Sequence, residues 1–149
     1  MNELARFLSA SKRSTKATRP PGPKGAPIMG VMREFIEKNF SVAWADEILV
    51  GFANKPVTVV IATRHGRVIG FAGYECTRKA FFGPTGVAEN ERGSGIGTAL
   101  LIASLWGLRE LGYVYGIIGG AGPVEFYQRA VGAFVIPDSQ PGIYTDLLR

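Results

Sequence analysis

Three glycines and an arginine lie within residues 92–97, between an apolar run that ends at Val87 and another that begins at Ile96. The first amides of a helix have no partner inside the helix, and the helix dipole makes that end positive. Glycine lets a ligand approach the backbone and adopts positive φ at low cost. A strand, a glycine loop and a helix in this order are typical of a phosphate site, to which Arg92 adds positive charge.

The spacing of these glycines distinguishes between the known kinds of phosphate loop. A P-loop requires a lysine directly after its last glycine, and none follows Gly97. The dinucleotide fingerprint requires a third glycine where this chain has Thr98. The segment fits R-x-x-G-x-G instead, and with it the chain resembles the GNAT (GCN5-related N-acetyltransferase) superfamily over roughly residues 28–149.

The resemblance implies an acetyl-CoA-dependent N-acetyltransferase that acts on a primary amine, with acetyl-CoA as cosubstrate. It also implies that the coenzyme diphosphate lies on the amides of residues 93–98, and that the pantetheine pairs with the end of the preceding strand. The expected cofactor-binding residues are Gly86, Val87, Arg92, Gly93, Ser94, Gly95, Ile96, Gly97 and Thr98. Where the family often has an asparagine that contacts the pantetheine, this chain has Gly120.

Two residues are candidates for the proton transfers of such a reaction. Tyr127 resembles the family's tyrosine that faces the sulfur; since a phenol titrates near ~10 and a thiol near ~8.5, a hydrogen bond that yields its proton late is favoured. Glu75 ends a strand that should border the site and is the candidate base, although a carboxylate near ~4.3 lies far below an amine near ~10.4. The aromatic candidates for an acceptor pocket are Phe40, Trp44, Tyr74, Phe81, Phe82 and Tyr144.

Apolar periodicity and turn residues predict an α/β fold. The resemblance adds that the sheet is mixed, largely antiparallel, flanked by helices and splayed between its fourth and fifth strands. The expected helices are 28–40, one capped by Ser41, 95–111 and 123–131, and the expected strands are 57–62, 68–74, 80–87, 113–118, 133–136 and 143–148. The family's first strand has no visible counterpart and is expected within residues 1–10.

The charge distribution argues against nucleic-acid binding. The net charge is +5, and residues 1–24 carry all of it. A basic face across the domain, which duplex binding needs, is therefore not expected. We interpret residues 1–27 as a basic arm or edge element that contains proline and glycine, and residues 28–149 as the acetyltransferase domain.

The remaining composition favours a cytoplasmic enzyme. One cysteine, Cys76, and one histidine, His65, exclude an intrachain disulfide and predict no metal site. No apolar run is long enough for a membrane helix, so no membrane partner is expected. The apolar 95–111 helix and closing strands would suit a homodimer.

Besides nucleic-acid binding through the basic arm of residues 1–24, three interpretations of the function stay open on the sequence alone. The first is acetylation of a small-molecule amine, which a closed aromatic pocket would favour. The second is acetylation of a protein N-terminus or lysine, which needs an open groove. The third is a non-catalytic acyl-CoA-binding module, in which Tyr127 would have no chemical role.

Overall fold

The computed structural model describes residues 16–18 and 26–142. Its elements in chain order are β1 (Lys16–Thr18), α1 (Ala26–Asn39), α2 (Val42–Ala53), β2 (Val59–Arg64), β3 (Arg67–Tyr74), β4 (Phe81–Val87), a 3₁₀ turn (Glu89–Glu91), α3 (Ile96–Glu110), β5 (Ile117–Ile118) and α4 (Val124–Val131).

Local signals in the sequence explain several of these boundaries. The hydroxyl of Ser41 accepts a hydrogen bond from the amide of Trp44 at 3.1 Å and so caps α2, as the sequence predicts. The turn between β2 and β3 consists of His65 and Gly66, both with positive φ, at 49° and 75°. Such a two-residue turn matches the twist of a hairpin, which β2 and β3 form.

The described strands form one sheet in the order β1-β2-β3-β4-β5. The first four strands are antiparallel, and β5 runs parallel to β4. Phe71 on β3 packs into a cluster with α1 and α2, whereas its neighbour Ala72 packs with α3 on the opposite face. The predicted α/β fold with a mixed, largely antiparallel sheet between helices is confirmed.

The sheet opens between β4 and β5, as predicted. β5 pairs only with the first two residues of β4, through Phe81 with Ile117 and Phe82 with Ile118. Along 83–87 no strand of the described residues pairs with that side of β4. The pairing of β3 with β4 is also irregular opposite Pro84, where the sequence predicts a bulge because proline lacks an amide donor.

Four predictions about strands need correction or lie outside the described residues. The first strand lies at Lys16–Thr18, inside the expected arm, and pairs with β2; residues 1–10, where it was expected, are not described. The strand expected at 113–118 is reduced to Ile117–Ile118. No strand forms at 133–136 in the described chain, and the one expected at 143–148 lies beyond it.

The shortening of the fifth strand has a local cause. Two amides after α3 donate hydrogen bonds back to its carbonyl groups. The amide of Gly112 donates to Arg109 at 2.9 Å, and the amide of Tyr113 donates to Leu108 at 3.1 Å. Val114 and Tyr115 then stand exposed at the surface, so their apolar side chains fit no face of the described sheet. Apolar character predicted a strand here, but a strand requires a partner at the right register.

Candidate active site

A cavity of about 940 Å³ follows the open edge of β4. Its walls come from the end of α1 and the start of α2, from β4, from the loop into α3, from the glycine-rich 119–122 segment and from α4. It contains every predicted cofactor-binding residue except Ser94, which is exposed and donates its hydroxyl to the carbonyl of Glu91 at 2.9 Å. The predicted loop and Tyr127 are thus brought to one site.

The loop into α3 presents free backbone donors to this cavity. Gly95 is the residue before the helix, with φ at 81°, and no side chain caps the helix there. Gly93 also has positive φ, at 80°. The first amides of α3, at Ile96, Gly97 and Thr98, therefore face the cavity without an internal acceptor. These donors and the helix dipole fit a diphosphate.

Arg92 is fixed beside these free amides by a contact with the backbone. Its Nε donates to the carbonyl oxygen of Val87 at 3.1 Å, which leaves the other guanidinium donors for a ligand. The nearby Glu91 lines the cavity too, but its carboxylate is paired with Arg64 of β2. That pairing offsets a negative charge next to the proposed phosphate position.

The open edge of β4 offers backbone groups in the orientation that an extended ligand can pair with. The amide of Ala88 donates to the carbonyl of Ile69 at 2.9 Å, one step past the last β3–β4 pair. Antiparallel pairs alternate between hydrogen-bonded and non-bonded, so the backbone groups of Val87 point away from β3. By the same alternation, the backbone groups of Thr85 also point away from β3.

Gly86 lies between these two positions for a steric reason. A Cβ at Gly86 would come within 2.4 Å of the ring of Phe40, which closes the cavity on the α1 side. Phe40 in turn stacks on Trp44, with ring centroids 5.5 Å apart and planes tilted by 19°. The glycine therefore lets the aromatic wall approach the open strand.

Tyr127 lines the cavity from α4 and is 7% exposed. Its ring packs edge-on against Phe82, at 6.2 Å between centroids. Burial raises the pKa of Tyr127, so the phenol stays protonated at neutral pH. No side chain or backbone group of the described residues hydrogen-bonds to its hydroxyl. The hydroxyl is therefore available to a ligand as a donor.

Glu75 is not brought to the cavity. Its carboxylate contacts Lys79 Nζ at 2.8 Å and the amide of Ala80 at 3.4 Å, and the hydroxyl of Tyr113 donates to it as well. Burial alone would raise the pKa of Glu75, but these hydrogen bonds outweigh it and the pKa is lowered. The position and the bonding fit a link between the β3–β4 loop and the segment after α3.

Other reactive groups of the described residues do not form a second centre. Cys76 is buried, and burial raises the pKa of its thiol to about 11, which disfavours the thiolate. No cluster of three or more metal-binding side chains occurs in residues 16–18 and 26–142. In the same ranges no helix is both long and apolar enough to cross a membrane.

A sequence profile of the Acetyltransferase (GNAT) family matches residues 24–133. The chain belongs to the GNAT acetyltransferase family. The resemblance read from the glycine loop is thereby confirmed, and the chain is an acyltransferase. No curated protein sequence matches this acetyltransferase.

Solved structures of family members share the fold of this acetyltransferase. An aminoglycoside acetyltransferase from an uncultured soil metagenomic sample, in complex with trehalose, is 19% identical with a TM-score of 0.62, over 85% of this chain and 93% of that one. A GNAT acetyltransferase from Brucella melitensis in complex with acetyl-CoA is 20% identical with a TM-score of 0.58, over 77% and 80%. One from Escherichia coli in complex with CoA is 20% identical with a TM-score of 0.56, over 78% and 66%.

The sequence anticipated only part of the cavity wall of this acetyltransferase. Of the expected aromatic residues, Phe40, Trp44, Phe81 and Phe82 line the cavity. Tyr74 is in the core, where its hydroxyl lies against Gly107, and Tyr144 lies outside the described residues.

Glu47 and Thr77 also line the cavity, and sequence reasoning missed both. The spacing of Glu47 from Trp44, one helical turn, is the signal that would have placed Glu47 on the aromatic face of α2.

Proposed function

We propose that this acetyltransferase transfers the acetyl group of acetyl-CoA to a primary amine of a small molecule. The observation that carries the proposal is a cavity that joins the uncapped start of α3 to a wall of stacked aromatic rings along the open edge of β4. Family membership supports the acetyl donor, and the aromatic lining of the cavity supports a small acceptor.

The residues present fit acetyl-CoA. The free amides of residues 96–98 and the guanidinium of Arg92 would hold the diphosphate, and the open backbone of Thr85 and the amide of Val87 would pair with the pantetheine. β4 has seven residues, and a strand of that length extends about 20 Å, enough for an extended arm between diphosphate and thioester. When bound, the coenzyme supplies an acetyl group activated as a thioester.

Groups of the protein itself would act on the acetyl carbonyl and on the departing sulfur. Backbone amides on the open edge of β4 are the donors that would polarise an acetyl carbonyl, because they are preorganised and face the cavity. The phenol of Tyr127 would donate a hydrogen bond to the departing sulfur, and its raised pKa keeps the proton in place until negative charge develops.

We assign Glu75 a positioning role rather than that of the base. Its lowered pKa makes it a weak proton acceptor, and its oxygens are already bound to Lys79 and Ala80. An amine that reaches the cavity neutral needs no strong base and passes its proton to water after the attack.

Release of free thiol from acetyl-CoA in the presence of a panel of amines tests the proposal. We expect thiol release that depends on the acceptor for small primary amines and is much weaker for a lysine-containing peptide. Calorimetry of CoA binding runs in parallel. Binding of CoA without turnover on any amine would instead identify an acyl-CoA-binding module, and preference for the peptide would identify a protein acetyltransferase.

A further inference from the structure

The acceptor side of the cavity contains a carboxylate, Glu47, on α2. Thr77, in the loop before β4, donates its hydroxyl to Oε1 of Glu47 and so orients the carboxyl group. The same loop is held in place by the hydrogen bonds that Glu75 accepts from Lys79 and Ala80. The loop that orients the Glu47 carboxylate is therefore itself fixed by hydrogen bonds.

No lysine or arginine of the described residues pairs with Glu47. The ion pairs there join Arg33 to Glu37 and Asp46, Arg64 to Glu91, and Lys79 to Glu75. The other two charged residues of the cavity wall are Glu91, which is paired, and Arg92, which lies past the far end of β4. A half-buried carboxylate that lines the cavity without a lysine or arginine beside it attracts a cationic ligand by its charge.

Two aromatic rings share the cavity wall with this carboxylate. Trp44 precedes Glu47 by one helical turn and lines the same cavity, and its ring stacks on Phe40. Rings attract an ammonium group to their faces, and the attraction grows as water is excluded. A carboxylate beside stacked rings is thus a matched site for an organic ammonium group.

We propose that Glu47, together with Trp44 and Phe40, binds a second ammonium group of the acceptor, so that the substrate carries at least two amino groups. The inference rests on the proposed function. An amine must be neutral to attack a thioester, whereas the amine held by a carboxylate is an ammonium; one amino group cannot serve both purposes. The two groups are distinct parts of one acceptor, such as a linear diamine or a diamino sugar.

Steady-state kinetics of the full chain and of Glu47→Gln test the proposal with three acceptors: a linear diamine, the monoamine of the same length, and a diamino sugar. We expect KM of the wild type to be at least tenfold lower for one of the diamino compounds than for the monoamine. The substitution should raise that KM by about tenfold to thirtyfold, the range of a lost charge-assisted hydrogen bond. The KM of the monoamine and of acetyl-CoA should change little.

The control is Asp46→Asn on the same helix, since Asp46 does not line the cavity and is paired with Arg33 at 2.9 Å. An equal effect of Glu47→Gln on diamines and the monoamine would overturn the proposal. So would a fall in kcat with loss of the acidic limb of the pH profile, which would make Glu47 the base. Turnover of the monoamine without preference for two amino groups defeats only this inference, whereas CoA binding without any turnover defeats the proposed function itself.

Discussion

The phenol of Tyr127 occupies a nearly dry part of the cavity, and those surroundings decide what it can do. Burial raises its pKa, so it is a poor acid in the resting enzyme but a sound hydrogen-bond donor to developing negative charge. Glu75, the other predicted catalytic residue, has its oxygens taken by neighbouring donors. Of these two predicted catalytic residues, only Tyr127 has surroundings that suit contact with the reacting atoms.

Replacement of Tyr127 by phenylalanine should lower kcat by about tenfold to a hundredfold, at or below the lower end of what proton-transfer groups contribute. The KM for acetyl-CoA should stay within a factor of about two, because the ring and its packing on Phe82 are kept. Stopped and continuous thiol-release assays measure both. Tyr115→Phe is the control, since that ring is exposed. An unchanged kcat would remove the phenol from the mechanism.

The start of α3 is the element on which the cofactor proposal depends. Gly95 holds φ at 81° and has open space around it, so a side chain would project into free volume beside the uncapped amides. The hairpin residue Gly66 has φ at 75° and equally open space, but it is remote from the cavity. A comparison of substitutions at these two glycines therefore distinguishes the cost of a strained backbone from the loss of a binding site.

Gly95→Glu and Gly66→Glu should each cost about 1–2 kcal/mol of stability, since both force a side chain into left-handed backbone. In the wild type, acetyl-CoA at a hundred times its Kd should add about 2.7 kcal/mol of stability and raise Tm. Thermal unfolding with and without ligand should show this shift in Gly66→Glu and not in Gly95→Glu, where a carboxylate occupies the diphosphate position. A preserved shift in Gly95→Glu would mean that the coenzyme binds elsewhere.

The stability of the folded domain should depend on pH through Glu75. This carboxylate joins the β3–β4 loop to Tyr113 after α3, and its side chain is 7% exposed. Because its pKa is lower in the folded chain than in the unfolded chain, its contribution is complete above the unfolded value of about 4.3 and is lost as pH falls through the folded value.

Glu75→Gln should therefore lower the free energy of unfolding near pH 7 by about 1.5–3 kcal/mol, the range for hydrogen bonds to a charged group. Urea unfolding should show that the difference from the wild type shrinks below about pH 4. Glu37→Gln removes an exposed i,i+4 pair with Arg33 and should change stability by less than about 0.5 kcal/mol. A difference that stays constant with pH, or a selective collapse of kcat, would return Glu75 to the role of base.

The sequence by itself determined the features that arise from neighbouring residues. The glycine loop, the cap at Ser41 and the two-residue hairpin turn were all predictable, because φ preferences, free helix amides and hydroxyl caps act within a few residues. The order of helices and strands followed from apolar periodicity, and the family followed from the spacing of the loop residues.

Tertiary structure alone decided which strands formed and which carboxylate reached the cavity. Residues 133–136 are apolar like a strand but have no described partner. Lys16–Thr18 have one apolar residue, Ala17, yet pair with β2. Glu75 and Glu47 cannot be ranked from their local sequence, since burial and bonding partners come from segments distant in the chain. Strand pairing and the surroundings of a charge are non-local, and only the folded chain sets them.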